Sequence, residues 1–207
     1  DNLPITFFEI LTACYFFKAA EYPKNINLVE SGLFFRFDAT NILKENLASI
    51  VTSISLDHLD WLPEKEQNIE KIIFEKTSAL LNSKIIIAKQ KNQETMDLIK
   101  KTIAKNKSNK IFFNEDFCYS QDKNDLFYFE DKIGKLKLPK PNVLGQFQLE
   151  NISTTIECLR ALNLDIKDED IKNGIQKINN IARLQMINSG KLKNLVKDNL
   201  FLISGDH

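Results

Sequence analysis

The chain has 207 residues, enough for one domain, or for one domain and a piece of another. Lys plus Arg and Asp plus Glu number 28 each, so no basic excess exists to neutralise nucleic-acid phosphates. No apolar run approaches the length needed to cross a bilayer, which sets membrane proteins aside.

Apolar residues at 43% permit a sizeable core. The opening Asp1-Asn2-Leu3-Pro4 has no basic stretch ahead of an apolar one and does not read as a signal peptide. Cys14, Cys118 and Cys158 are scattered, as expected of reduced core thiols in a cytoplasmic protein. The two histidines lie near no cysteine pair, which argues against zinc.

In chain order, residues 5–20 predict a helix buried on most sides, with Pro4 ahead of its first turn. Residues 26–31 predict a strand that ends in the carboxylate of Glu30, and residues 47–54 a second strand followed by polar Ser55, Asp57 and His58. Residues 68–82 have helical spacing, Lys84–Ala88 is a short Ile-rich strand, and Gln93–Lys105 is an amphipathic helix. Ile111–Phe113 predicts a further buried strand. Alternation of this kind argues for an α/β fold, a mostly parallel open sheet with helices on both faces.

Residues 126–138 break the rhythm. Phe127 and Phe129 on one side of Asp131-Lys132-Ile133-Gly134, and Leu136 and Leu138 on the other, predict a β-hairpin, a small antiparallel element. Pro139-Lys140-Pro141 is a stiff spacer. Helices are predicted over Gly145–Leu162 and Asp168–Ile178, the latter with Asp168 as N-cap. Arg183–Ile187 and Leu200–Ile203 read as strands. Residues 1–194 are expected to form one domain, and residues 195–207 a linker and the first strand of the next.

Several residues have a chemical reading beside a plainer one. Glu30 is either a solvated strand-end carboxylate or an oxygen ligand for a hard cation near phosphates. His58, next to Asp57, is either structural or a metal ligand. Glu75-Lys76 on a helix is ordinarily a wet surface pair. Thr6-Phe7-Phe8-Glu9 suits a helix start whose early acidic residue favours the macrodipole. Asp38 is either a turn cap or a hydrogen-bond acceptor for a ligand. Asn151 in a helix carries no message alone, and Arg183 offers a planar fork suited to phosphate.

Read together, the stretch Glu30-Ser31-Gly32-Leu33-Phe34-Phe35-Arg36-Phe37-Asp38-Ala39-Thr40-Asn41 closely resembles the E-x-G-x-G-G-R-x-D-A-T-N motif of folylpolyglutamate and dihydrofolate synthases, members of the Mur ligase superfamily. Thr52–His58 resembles their T-S-I-x-x-D-H segment, Glu75–Ser78 the start of their E-K-A-G-I segment, and Thr6–Glu9 their T-x-F-E segment. Gly145–Asn151 resembles G-x-H-Q-x-x-N, Ala182–Gln185 resembles G-R-x-Q, and Ser204–His207 resembles D-G-A-H-N.

The resemblance implies ATP-dependent ligation of L-glutamate to a folate or dihydropteroate carboxylate through an acyl phosphate, in a cytoplasmic monomer. It implies Mg²⁺ held by Glu30 and His58, with Lys76 carbamylated in support. ATP would meet Asn151, Arg183, Ser204 and His207, and the pterin side would be lined by Thr6, Phe7, Phe8, Glu9, Phe37, Asp38 and Ala39. A peptidoglycan Mur ligase is disfavoured by the D-A-T-N and T-x-F-E segments.

The chain also departs from the pattern. Phe34 and Phe35 stand where the family has two glycines, Thr77 and Ser78 replace Ala and Gly, Phe147 replaces His, Ala182 replaces Gly, and Ser204 replaces Asp. No G-x-x-x-x-G-K-[ST] phosphate loop occurs among the 207 residues, and glycines number only 6. These departures imply little or no ATP turnover by this chain alone. The alternative function is a non-catalytic folate- or partner-binding remnant.

Overall fold

A computed structural model describes residues 4–123 and 126–205. His207, expected to contact ATP, lies outside the described residues. The helices are α1 (Phe7–Ala19), α2 (Ile69–Thr77), α3 (Gln93–Thr102), α4 (Gln146–Ala161), α5 (Asp168–Lys177) and α6 (Lys191–Val196). The strands are β1 (Ala48–Val51), β2 (Lys84–Ile87), β3 (Asn109–Phe112), β4 (Phe117–Gln121), β5 (Phe127–Asp131), β6 (Lys135–Leu138), β7 (Gln185–Met186) and β8 (Leu202–Ile203).

The fold is α/β, as the alternation of periods predicts. Sheet order is β1-β2-β3, β4-β5-β6 and β7-β8. The chain forms two compact units, residues 1–85 with 90–109, and residues 86–89 with 110–207. The division runs through β2 and β3.

In the first unit, α2 packs on α3 through Ile72, Ile73, Met96 and Ile99, all buried. Both helices start on an asparagine. Asn68 Oδ1 accepts from the Lys71 N–H (2.8 Å) and Asn92 Oδ1 from the Thr95 N–H (2.9 Å). Thr6 and Glu9 form a reciprocal capping box at the head of α1. That helix is apolar on every side, yet Thr12 is its only buried residue.

The loop after α1 is clasped to α2. Arg36 Nε and Nη2 donate to Glu75 Oε2 (2.8 Å) and Oε1 (2.7 Å). The Glu75 backbone carbonyl accepts from the N–H groups of Phe35 (3.1 Å) and Arg36 (3.0 Å). Lys71 Nζ adds a third donor, 3.3 Å from Glu75 Oε1. The Arg36 guanidinium, first among these, holds the buried Glu75 carboxyl below the usual carboxylate range.

In the second unit, β4, β5 and β6 form an antiparallel meander, with Phe117 opposite Asp131 and Phe129 opposite Leu136. Alternate side chains Phe117, Phe127, Phe129, Leu136 and Leu138 turn inward beneath α4, which contributes Leu149, Ile152 and Ile156. The β5–β6 turn is fixed by Asp131 Oδ1, which accepts from the N–H groups of Ile133 (2.9 Å) and Gly134 (3.0 Å). Gly134 has a φ of 144°, a conformation side chains disfavour.

Five expectations need correction, the first being the burial of α1, whose apolar side chains are mostly exposed because little of the described chain packs over them. Residues 26–31 form no strand: the segment lies outside every sheet, and Leu28 is 90% exposed. An apolar run becomes a strand only where a neighbour pairs its backbone, and none among the described residues does so. The antiparallel element is larger than a hairpin, since β4 joins it. Lys167, not Asp168, is the N-cap of α5, with Asp170 Oδ2 accepting the Lys167 N–H (3.0 Å). Helix α6 has no counterpart in the sequence expectations, and β8 pairs with β7.

Phe129→Ala is expected to cost about 3–5 kcal/mol of stability, because the ring is fully buried, and denaturant unfolding measures this. Glu75→Gln is expected to cost on the order of 2 kcal/mol near neutral pH by breaking the charged clasp. A carboxyl with a lowered folded pKa contributes stability above its unfolded value and loses it as pH falls through the folded one. The wild-type advantage over Glu75→Gln should therefore shrink as pH drops below about 4.5.

Candidate functional site

The loop segment Asp57-His58, six residues and more beyond β1, and helix α2 converge on one side chain, Phe34. The Phe34 ring meets the His58 ring edge-on, with centroids 6.2 Å apart. Lys76 Nζ lies 5.9 Å from the centroid of the same Phe34 ring. His58 Nε2 is 3.4 Å from Asp57 Oδ2, and the His58 N–H donates to Asp57 Oδ1 (2.8 Å). Burial pushes the Lys76 pKa below the ordinary lysine value, against an opposing pull from Asp57.

So the structure brings His58 and Lys76 together, with Asp57 beside them and Phe34 between. Glu30 does not join them. It is exposed and, among the described residues, makes no hydrogen bond or ion pair. Because residues 26–31 are not a strand, no strand end presents Glu30 beside His58. Among the described residues no group of three or more His, Cys, Asp and Glu is placed to hold a metal.

The backbone at this point is unusual. Phe34 has a φ of 52° and His58 a φ of 55°, both in the left-handed region where side chains crowd the backbone. Phe34 occupies a position at which the resembled motif has glycine. Ala182, also in place of a glycine, has a φ of 56°. At both positions the chain keeps a glycine-like path while carrying a side chain.

The residues expected on the pterin side are held by contacts of their own. Glu9 Oε2 accepts from the Thr6 N–H (2.7 Å) and Thr6 Oγ1 (2.8 Å), and these bonds lower its pKa. Asp38 Oδ2 accepts from the N–H groups of Gly32 (2.9 Å) and Leu33 (3.0 Å), while Oδ1 accepts from the Thr40 N–H (2.9 Å) and hydroxyl. Asp38 thus acts as a turn acceptor here, the plainer of its two sequence readings. The Phe8 ring covers Gly32 so closely that a Cβ there would lie 2.8 Å from Phe8 Cζ. Phe7 is largely exposed, Phe37 is exposed beneath the Arg36 guanidinium (3.9 Å to the ring centroid), and Ala39 is half-buried.

In the second unit, Asn151 is exposed on α4. Its neighbour Glu150 takes Lys89 Nζ at 2.9 Å. Arg183 Nη1 donates to the Gly205 carbonyl (3.1 Å), and the Gly205 N–H donates to the Ala182 carbonyl (2.8 Å). These bonds bring Arg183 to the turn that carries exposed Ser204. Phe147, in the place of a histidine, folds back on Gly145.

Sequence reasoning missed the Arg36–Glu75 clasp and the position of Phe34. Arg36 and Glu75 are 39 residues apart, beyond any local spacing rule. The signal for Phe34 was available: a bulky residue at a glycine position.

No family model matches the chain. It is 28% identical over 195 residues to the dihydrofolate synthase/folylpolyglutamate synthase of Haemophilus influenzae, covering 92% of this chain and 41% of that protein. To the enzyme of the same description from Escherichia coli it is 31% identical over 191 residues, covering 90% and 42%. The apo form of L. casei FPGS superposes with a TM-score of 0.82 at 21% identity, covering 100% of this chain and 49% of that one. An FPGS–AMPPCP–folate complex superposes with a TM-score of 0.82 at 20% identity, with the same coverage. The chain thus spans less than half the length of the curated relatives it matches. Continuous similarity over nine-tenths of the chain, with the same fold beneath it, establishes homology to part of the folylpolyglutamate/dihydrofolate synthases of the Mur ligase superfamily.

Proposed function

We propose that the chain carries part of an ATP-dependent ligase that joins L-glutamate to the carboxylate of a folate or dihydropteroate, and that alone it turns over little or no ATP. In that reaction a substrate carboxylate oxygen attacks the γ-phosphorus of ATP and ADP leaves, giving an acyl phosphate. The glutamate amine then attacks the acyl carbon, loses its proton, and phosphate departs. Homology to these synthases supports this reading, as do the AMPPCP, ADP and folate found in complexes of its structural neighbours.

The assigned roles follow from the resemblance. Asn151, Arg183 and Ser204 would face ATP, and the first turn of α1 with Phe37–Ala39 would face the pterin. Lys76 would add its neutral amine to CO₂, releasing a proton and leaving an anionic carbamate. Its lowered pKa favours the neutral amine that this step needs. Mg²⁺ would draw part of its donor set from the substrate phosphates. No helix among the described residues is long and apolar enough to cross a membrane. A cytoplasmic monomer is the corresponding proposal for location and assembly.

The observation that carries the second half of the proposal is the Phe34 ring, which stands against both His58 and Lys76. Bulk there occupies space beside the two side chains that the resemblance assigns to the reaction. The same observation favours the second reading, a binding remnant without catalysis.

Two measurements separate the readings. Purified chain incubated with MgATP, glutamate and either dihydropteroate or folate should release no ADP above background; substrate-dependent release would refute the proposed inactivity. Calorimetry with folate alone and with MgATP alone then distinguishes a folate-binding module from an inert relic.

A stability comparison tests the backbone at Phe34. Phe34→Gly and Phe34→Ala both delete the ring, but only alanine retains the left-handed penalty. The glycine variant should be more stable than the alanine variant by about 1 kcal/mol in urea unfolding. The reverse order would mean that residue 34 does not hold a positive φ.

A further inference from the structure

Away from these residues, helix α4 buries an acid with nothing to receive it. Glu157 lies near the end of α4, 7% exposed, and among the described residues its Oε2 has no hydrogen-bond partner. Four charged groups from the packed elements surround it. Asp116 comes from the β3–β4 turn, Asp131 from the end of β5, Lys132 from the β5–β6 turn, and Arg160 from α4 itself.

The two cations are committed elsewhere. Arg160 Nη1 donates to Asp131 Oδ1 (2.9 Å) and Nη2 to Asp168 Oδ1 (3.3 Å). Lys132 Nζ is paired with Asp116 Oδ1. Asp116 and Asp131 therefore press negative charge toward Glu157, and neither cation donates to it.

We propose that Glu157 is a proton-linked latch for α4: the neutral acid lets the helix lie on the β4–β5–β6 meander, and the carboxylate loosens that contact. A buried anion without a donor is costly, and two carboxylates nearby add to the cost. Burial first, then Asp131 and Asp116, push the Glu157 pKa up to about 7, against a smaller pull from Arg160 and Lys132. The inference does not depend on the ligand assignments above. It bears on them because α4 also carries Asn151 and the Glu150–Lys89 pair.

The sign of the effect is fixed. A group whose folded pKa lies above its unfolded value stabilises fully below the unfolded value. That contribution is lost as pH rises, and the loss is complete once pH passes the folded value. For Glu157 the window runs from about pH 4.5 to about pH 7.

The test compares wild type with Glu157→Gln, a neutral isostere, by urea unfolding across that window and beyond it. From about pH 5 to about pH 8 the wild type should lose stability relative to the variant by roughly tenfold or more in the unfolding equilibrium constant. A constant offset between the two is immaterial; curves that stay parallel across the window would overturn the latch. A second readout covers a variant that fails to fold. Carbon-detected NMR of the Glu157 side-chain carboxyl in the wild-type chain should give a midpoint near neutrality, and a midpoint near about 4.3 would overturn the proposal.

Discussion

Arg36 gives two N–H groups to the Glu75 carboxylate, and Glu75 gives its backbone carbonyl to the N–H groups of Phe35 and Arg36. One residue on α2 thus holds the loop that follows α1 by charge and by backbone pairing at once. Everything specific about the first unit depends on this. The loop carries Phe34 to His58 and Lys76, and Asp38 into the turn that shapes residues 32–40. Lys76 follows Glu75 on the same helix. The clasp therefore sets the distance between the loop and the lysine, since both are anchored to one turn of α2.

That constraint also explains how the chain tolerates side chains at glycine-like positions. Strain at a positive φ persists only where surrounding contacts over-determine the backbone. At Phe34 those contacts are the paired N–H groups at 35 and 36 and the Asp38 bonds to Gly32 and Leu33. At Ala182 they are the Gly205 N–H on its carbonyl and Gln185 Oε1 on its own N–H. Both loops hold a path that glycine would take without strain. The backbone still traces the family's shape, while the space beside His58 is filled by a phenyl ring.

Much of the fold was legible because its signals are local. Helical spacing gave α2 to α5, and Asp131-Lys132-Ile133-Gly134 between alternating apolar residues gave the β5–β6 turn. The failures have physical causes. Residues 26–31 have the composition of a buried strand, but composition says nothing about whether a neighbour pairs the backbone. Strand β4 alternates Phe117, Tyr119 and Gln121 with smaller residues, yet its place in the meander depends on a register with β5. For the site, motif order pointed to Lys76 and His58, both of which the structure sets against the Phe34 ring. The plainer readings, Asp38 as a turn cap and Thr6–Glu9 as a helix start, match the turn and cap bonds those residues make, while nothing local indicated that Glu30 would lie outside every sheet.

Helix α1 has a consequence for handling the protein in solution. Phe7 and Phe17, with Ile5 just ahead of the helix, keep more than half of their surface in water. The sequence has an isoelectric point near 6.9, so near neutrality almost no long-range repulsion separates one molecule from the next. Sticky rings and vanishing charge act in the same direction there. Colloidal stability, rather than folding free energy, becomes the first quantity to control. A buffer a unit or more away from the isoelectric point restores mutual repulsion, whereas sulfate strengthens the tendency of the rings to associate.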